Sequence, residues 1–318
     1  MSKYLELFKG AFDDSIGTKT KLENKPYIGY SLTEGKLAYT IVPKSVVYDP
    51  YVTFTAEEDS SSIGLAKLST NQTLEYSTDT TTWNTFDTTT NIPLNNGDKV
   101  YIRGMLSADN TTSNYTRFKM SGKIVASGNC NAFWNYQNLN ASLKAYCGYQ
   151  IFYRCSSLTT APELPATTLV DYCYKGMFKN CVSLTTAPVL PAVELAEGCY
   201  EGMFYGCSSL TTAPELPATM LVESCYDNMF NGCISLTTAP VLPATVLAKS
   251  CYSAMFYGCI SLNNIICLAT DVSAEYCTDY LLYNVYPTGT FIKHPDMNDW
   301  TTGVNGIPSG WTVVDAEV

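Results

Sequence analysis

The 318-residue chain is short of charge, of basic residues and of histidine. Only 15% of its residues are charged, and 19 Lys and Arg stand against 29 Asp and Glu, for a formal net charge of −10. Phosphate backbones are gripped by clustered cations, so the missing basic stripe argues against a nucleic-acid partner. With one imidazole, His294, the chain lacks the ligand that accompanies cysteine in many zinc sites, and no metal is expected. No stretch approaches the run of about 18 apolar residues that spans a bilayer, so membrane insertion is not expected. The opening MSKYLELFKGAFDDSIGTK is broken by Lys3, Glu6, Lys9, Asp13 and Asp14 and holds no signal-peptide core. The expectation is a protein made in a cytoplasm and not exported by the ordinary route. Also missing are a G-x-S-x-G elbow, a P-loop, an H-E-x-x-H pair and a dinucleotide fingerprint. His294, in FIKHPD, reads as polar loop surface. No catalytic residue and no cofactor are therefore expected.

What is present is a repeat. Hydrophobic residues make up 46% of the chain, enough for a real core, and there are 24 Tyr and 13 Cys. Cys147, Cys173, Cys199, Cys225, Cys251 and Cys277 are evenly spaced by 26, and so are Cys155, Cys181, Cys207, Cys233 and Cys259. Around them runs a unit such as SLTTAPELPATMLVESCYDNMFNGC, near-complete from Ser156 to Cys259 and degenerate on either side. A double period lies over it. Copies starting at Ser156 and Ser208 share SSLTTAPELPAT, and those starting at Val182 and Ile234 share SLTTAPVLPA.

On a helical wheel with Leu169 at zero, Cys173, Met177 and Cys181 fall at about 40°, 80° and 120°, and Tyr174 and Phe178 at about 140° and 180°. These positions are the same in all four copies, whereas Asp171, Tyr172, Lys175, Gly176 and Lys179 vary. One fixed half and one free half predict a helix from about Thr167 to Asn180, buried on half its circumference. Gly206, Gly232 and Gly258 would be left-handed caps. The remaining SLTTAPELP, with Pro162 and Pro165, predicts a short extended segment that pairs irregularly with its equivalent in the next copy. No copy buries its own face, so the copies must stack.

The unit resembles the Treponema-type, BspA-like leucine-rich repeats. In those, a Leu-Pro step, here Leu164-Pro165, precedes a helix ending in Phe-x-x-Cys, here Phe178 to Cys181, and a following Leu, here Leu184. The resemblance covers about 140 residues, from Ala141 to Tyr283, and implies a leucine-rich-repeat solenoid. At 26 residues the unit is longer than is usual in that family.

Three roles compete for the cysteines. Metal binding lacks the histidines. Disulfides need Cα atoms about 4.4–6.8 Å apart, and helices packed roughly 8–10 Å apart would hold the Cys173 ladder too far open. The Cys181 ladder, nearer the strands, leaves room for an occasional bond. Buried free thiols acting as small hydrophobes remain the simplest reading.

The expected fold class is mixed β plus α/β: an N-terminal hairpin segment, an Ig-like β-sandwich, then the solenoid. Residues 1–45 hold a helix over Lys3–Phe12 and a hairpin of Tyr27–Ser31 and Lys36–Ile41 around Thr33-Glu34-Gly35. The segment is too small for its own core and docks on the next domain or on a partner. Residues 46–126 alternate apolar and polar residues. They predict strands at Tyr51–Ala56, Ile63–Leu68, Leu74–Ser77, Thr82–Phe86, Asp98–Met105 and Thr116–Met120, with loops and an edge strand over Ser77–Asn91. Residues 127–283 carry the repeats. Residues 284–318 cap them, with Trp300, Ile307, Trp311 and Val313 as bulk. The ending GVNGIPSGWTVVDA resembles the terminal cap of many BspA-like proteins of gut Bacteroidales. ENKPYIGYS, before a sandwich, resembles the opening of fibre-type virion proteins from phages of those bacteria, including crAss-like phages.

These resemblances imply a virion fibre or decoration protein: attached to other virion proteins through the N-terminal segment, a homo-oligomer such as a trimer, and in contact with host-surface glycan or protein. The expected contact surface is the open strand face, Thr160, Glu163, Thr186, Val189, Thr212, Glu215, Thr238 and Val241. A bacterial cell-surface adhesin is the alternative, and a polysaccharide-active enzyme with carboxylates in the sandwich the third reading.

Overall fold

The computed structural model describes residues 27–33, 36–42, 48–70, 72–106 and 110–317. The chain divides into two compact units, essentially residues 1–49 and 50–316. In the first, β1 (Tyr27–Thr33) pairs antiparallel with β2 (Lys36–Val42), from Tyr27 opposite Val42 to Thr33 opposite Lys36. This is the hairpin expected there. The helix expected over Lys3–Phe12 lies outside the described residues.

The second unit begins with eight strands: β3 (Val52–Ala56), β4 (Ser61–Lys67), β5 (Leu74–Ser77), β6 (Asn84–Thr85), β7 (Asn91–Leu94), β8 (Lys99–Gly104), β9 (Arg117–Ser121) and β10 (Ile124–Ser127). Alternation sends Val52, Phe54 and Ala56 of β3 and Val100 and Ile102 of β8 inward, as period two demands. One sheet has the order β11-β10-β3-β8-β5-β6, where β11 is Leu158–Thr160, and the other β7-β4-β9. The sheets share a core in which the rings of Phe54 and Phe118 lie 5.6 Å apart. Strand β7 was hidden in the sequence by Pro93, which an edge strand tolerates because no neighbour needs its missing N–H. The expected boundary at 126/127 is bridged, because β10 pairs in parallel with β11 of the first repeat.

The repeats contain no helix from Thr167 to Asn180 or at its equivalents, so the α/β component of the expected fold is corrected. The protein is β-rich, and the one α-helix among the described residues is α1 (Asn131–Asn135). In place of a helix each copy makes a chain of tight turns. The N–H groups of Cys173, Lys175, Met177, Lys179 and Cys181 donate three residues back, whereas those of Tyr172, Tyr174, Gly176, Phe178 and Asn180 donate to Glu197, Cys199, Glu201, Met203 and Tyr205 in the next copy. The backbone is left-handed at every fourth residue, Tyr172, Gly176 and Asn180 here and Ser224, Asn228 and Gly232 two copies on. A four-residue turn places Cys173, Met177 and Cys181 on one side and Tyr174 and Phe178 on the next, so the fixed half of the wheel is buried all the same.

Stacking builds two aromatic columns. Phe152, Phe178, Phe204, Phe230 and Phe256 follow one another with centroids 5.4–5.7 Å apart and planes within 7°. Tyr174, Tyr200, Tyr226 and Tyr252 run beside them at 5.8–6.0 Å. Phe118 stacks on Phe152 at 5.2 Å, so the phenylalanine column continues into the core of the sheets. At the far end β12 (Asn264–Cys267), β13 (Gly289–Lys293) and β14 (Trp311–Asp315) form a parallel sheet. Ile307 and Trp311 are buried and Trp300 packs edge-on against Phe291, but Val313 points to solvent and is not part of the covering core. No helix among the described residues is long and apolar enough to cross a membrane.

Candidate binding surface

The extended side of the stack is a ladder of single parallel bridges, Thr160 to Thr186, Thr186 to Thr212 and Thr212 to Thr238. The two Pro residues of each copy remove donors and limit the pairing to such bridges. Thr185 and Thr237 strengthen it, each donating both its N–H and its hydroxyl to the carbonyl of the Thr one copy back. Of the eight residues expected to form the contact surface, Thr160, Thr186, Thr212 and Thr238 form this ladder, Glu163 bridges Asn129, and Val189, Glu215 and Val241 follow three residues after their threonines. Glu163, Thr186, Thr212, Glu215 and Thr238 are exposed, Val189 is 63% exposed, and Thr160 and Val241 are half-buried. Glu163 is tied by its backbone to Gly128 and Cys130.

Sequence reading missed the neighbouring row. Met220, 82% exposed, Val193 and Val246 extend the ladder with apolar surface, and Thr168 donates to the Glu194 carboxylate at 2.8 Å. Their signal was the variability of these positions between copies, which the expected helix start concealed.

The opposite, turn-bearing side is richer in charge. Lys175 pairs with Glu201 at 2.7 Å, and Lys179 stands over the Tyr205 ring, 4.1 Å from its centroid. With Gln150, Asn228 and these four side chains, the stack leaves a shallow depression of roughly 210 Å³. Burial, then repulsion from Glu201, pushes the Asp227 carboxyl up to about 6. The Tyr172 phenol donates to Glu197, and that hydrogen bond holds its proton more tightly than usual.

The thirteen cysteines are free and buried. Helix spacing cannot be the reason they are unpaired, because the helices are absent. Burial pushes the Cys207 thiol up to about 12 and Cys181 well above its ordinary range, so both stay protonated donors at neutral pH and are poor nucleophiles or metal ligands. Among the described residues no group of His, Cys, Asp and Glu is placed to hold a metal ion. His294 accepts the Asp296 N–H at its Nδ1, 3.2 Å away. The surface therefore offers hydroxyls, carboxylates, amides and aromatic faces at a regular spacing, which suits recognition of an extended partner.

A family model for the BspA type leucine rich repeat region matches residues 111–210 and 196–288, in six copies. No curated protein and no solved structure matches the chain.

Proposed function

We propose that this chain, which belongs to the BspA type leucine-rich-repeat family, is a structural and recognition protein and not an enzyme. Repeats of this kind suit protein interaction or adhesion. The stacked copies of residues 127–283 form a solenoid, closed by residues 284–318. An Ig-like β-sandwich over 46–126 serves as spacer. The threonine ladder faces outward toward host-surface glycan or protein.

The observation that carries the reading is the ladder itself. Thr160, Thr186, Thr212 and Thr238 repeat on one side of a stack whose register is held by backbone hydrogen bonds on the other. Such a surface is preorganised, so a partner loses little free energy to ordering it.

The site of display is proposed as the surface of a phage virion. The hairpin-bearing segment 1–45 would attach to other virion proteins, and the fibre would be a homo-oligomer such as a trimer. Its separation as a compact unit supports an attachment role.

Mass spectrometry of gradient-purified particles, with immunogold labelling against residues 141–283, tests this. Stoichiometric peptides and gold on the particle exterior are expected. Gold on a bacterial envelope, with none on particles, would move the protein to the cell-surface adhesins. Shortened chains after incubation with host capsular polysaccharide would overturn the non-enzymatic reading.

A further inference from the structure

We infer that Tyr257, Tyr280 and Tyr283, on the turn-bearing side near the end of the stack, form a docking site for a basic polypeptide segment, whose Lys or Arg side chains lie on the tyrosine rings. The inference rests on the reading of the chain as a recognition protein, but uses a surface other than the ladder.

Geometry gathers the three rings. Tyr257 and Tyr283 are one copy apart with centroids at 5.1 Å, and Tyr280 meets Tyr283 edge-on at 5.9 Å. Each is more than a third exposed. Tyr276, on the same coil, is 56% exposed. Clustered exposed apolar surface marks an interaction site.

Elsewhere on the molecule the chain sets its own cations over half-buried tyrosines. Lys67 stands over Tyr115 at 4.1 Å, Lys179 over Tyr205 at 4.1 Å, Lys175 near Tyr172 at 5.1 Å, and Arg154 near Tyr153 at 5.0 Å. No Lys or Arg among the described residues does this for Tyr257, Tyr276, Tyr280 or Tyr283. The repeat explains why. Lys179 occupies the place one copy before Tyr205, whereas the same place before Tyr257 holds Asn231, and before Tyr283 it holds Tyr257. No cation of the chain thus stands in that place at this end of the stack.

Charge selects the partner. Glu275 and Asp279 lie on the same coil as Tyr276, Tyr280 and Tyr283; neither forms an ion pair within 4 Å among the described residues, and Lys249, whose charge also attracts Glu275, is paired with Glu223 at 2.9 Å. Exposed rings beside carboxylates attract ammonium and guanidinium groups. Arginine suits both, because its planar fork stacks on rings and pairs with carboxylates.

The test is calorimetric titration of the full chain with a hexa-arginine peptide. A chain of net charge −10 attracts any polycation, so the variants decide. Tyr283→Leu keeps bulk but loses the ring and should weaken binding by about 3- to 10-fold. Tyr283→Phe should match the parent. Glu275→Gln with Asp279→Asn should weaken binding and flatten its salt dependence. Tyr280→Leu gives a second aromatic test at a more exposed position, and melting curves verify folding of each variant. Unchanged affinity in folded Tyr283→Leu and Tyr280→Leu would overturn the inference, because net charge alone would then explain the binding. So would maltoheptaose binding that these variants abolish while hexa-arginine binding persists. Host adhesion lost through ladder substitutions reports on the ladder alone, so either surface can fail without the other.

Discussion

The thiol of Cys207 donates to the carbonyl oxygen of Phe178, 3.1 Å away in the preceding copy. The same carbonyl accepts the N–H of Cys181 at 3.0 Å, closing a turn within its own copy. Cys181, Cys233 and Cys259 repeat the thiol contact with Phe152, Phe204 and Phe230. One carbonyl thus ties a turn and joins two copies, and the position needs a small apolar side chain that carries a donor.

Replacing Cys207 by Ala removes both the volume and the donor. Urea denaturation should show a loss of about 1–2 kcal/mol. In the parent protein a thiol-specific reagent should label none of the cysteines until the unfolding transition, since all are buried. Rapid labelling of the native protein would contradict the packing described.

Gly202 separates the turn ladder from a helix by the sign of one effect. Its φ is +59°, and a Cβ there would meet nothing nearer than Tyr205 Cβ at 3.9 Å. In a helix Gly→Ala stabilises by about 1 kcal/mol. At a left-handed position the same change costs roughly 1–2 kcal/mol. Gly202→Ala should therefore lower the melting temperature, with far-ultraviolet circular dichroism otherwise unchanged.

The Tyr226 hydroxyl is buried and finds no hydrogen-bond partner among the described residues. Its ring stacks between Tyr200 and Tyr252. Tyr226→Phe keeps the stack and removes the stranded hydroxyl, so it should stabilise by about 1 kcal/mol. A destabilised variant, measured by the same denaturation, would mean that the hydroxyl is satisfied.

Asp227 links stability to pH. Its carboxyl is raised from 3.8 in the ordinary case to about 6, first by burial and then by Glu201. Folding therefore disfavours the charged form. The penalty is fully present above about pH 6 and disappears as pH falls toward 3.8. Asp227→Asn should melt higher than the parent at pH 7.5, and the difference should vanish near pH 4. Equal melting at both values would place the carboxylate in a more solvated setting than its neighbours suggest.

Much of this architecture was legible in the residues. The spacing of the cysteines set the repeat, the positions that never change marked the core, and alternation marked most strands of the sheets. The threonine ladder followed from the period alone, because identical positions in stacked copies must fall in line. The backbone of the turns was not legible. Over nine residues a period of 3.6 and a period of 4 select nearly the same buried positions, so the pattern from Cys173 to Cys181 fits both. Gly176, Gly202 and Gly206 hinted at left-handed backbone, but Tyr172, Ser224 and Ala254 occupy equivalent positions with no such hint.

Composition and period determined that the chain is a stack of 26-residue copies with a free-thiol, aromatic core. Only the tertiary structure decided that every second N–H of the turns leaves its own copy for the next. It alone also set Tyr280 edge-on to Tyr283 with no cation over either ring. A local sequence pattern reports which side of a segment is buried. It does not report hydrogen-bond partners that stand one whole copy away, and those partners decide between a helix and a turn.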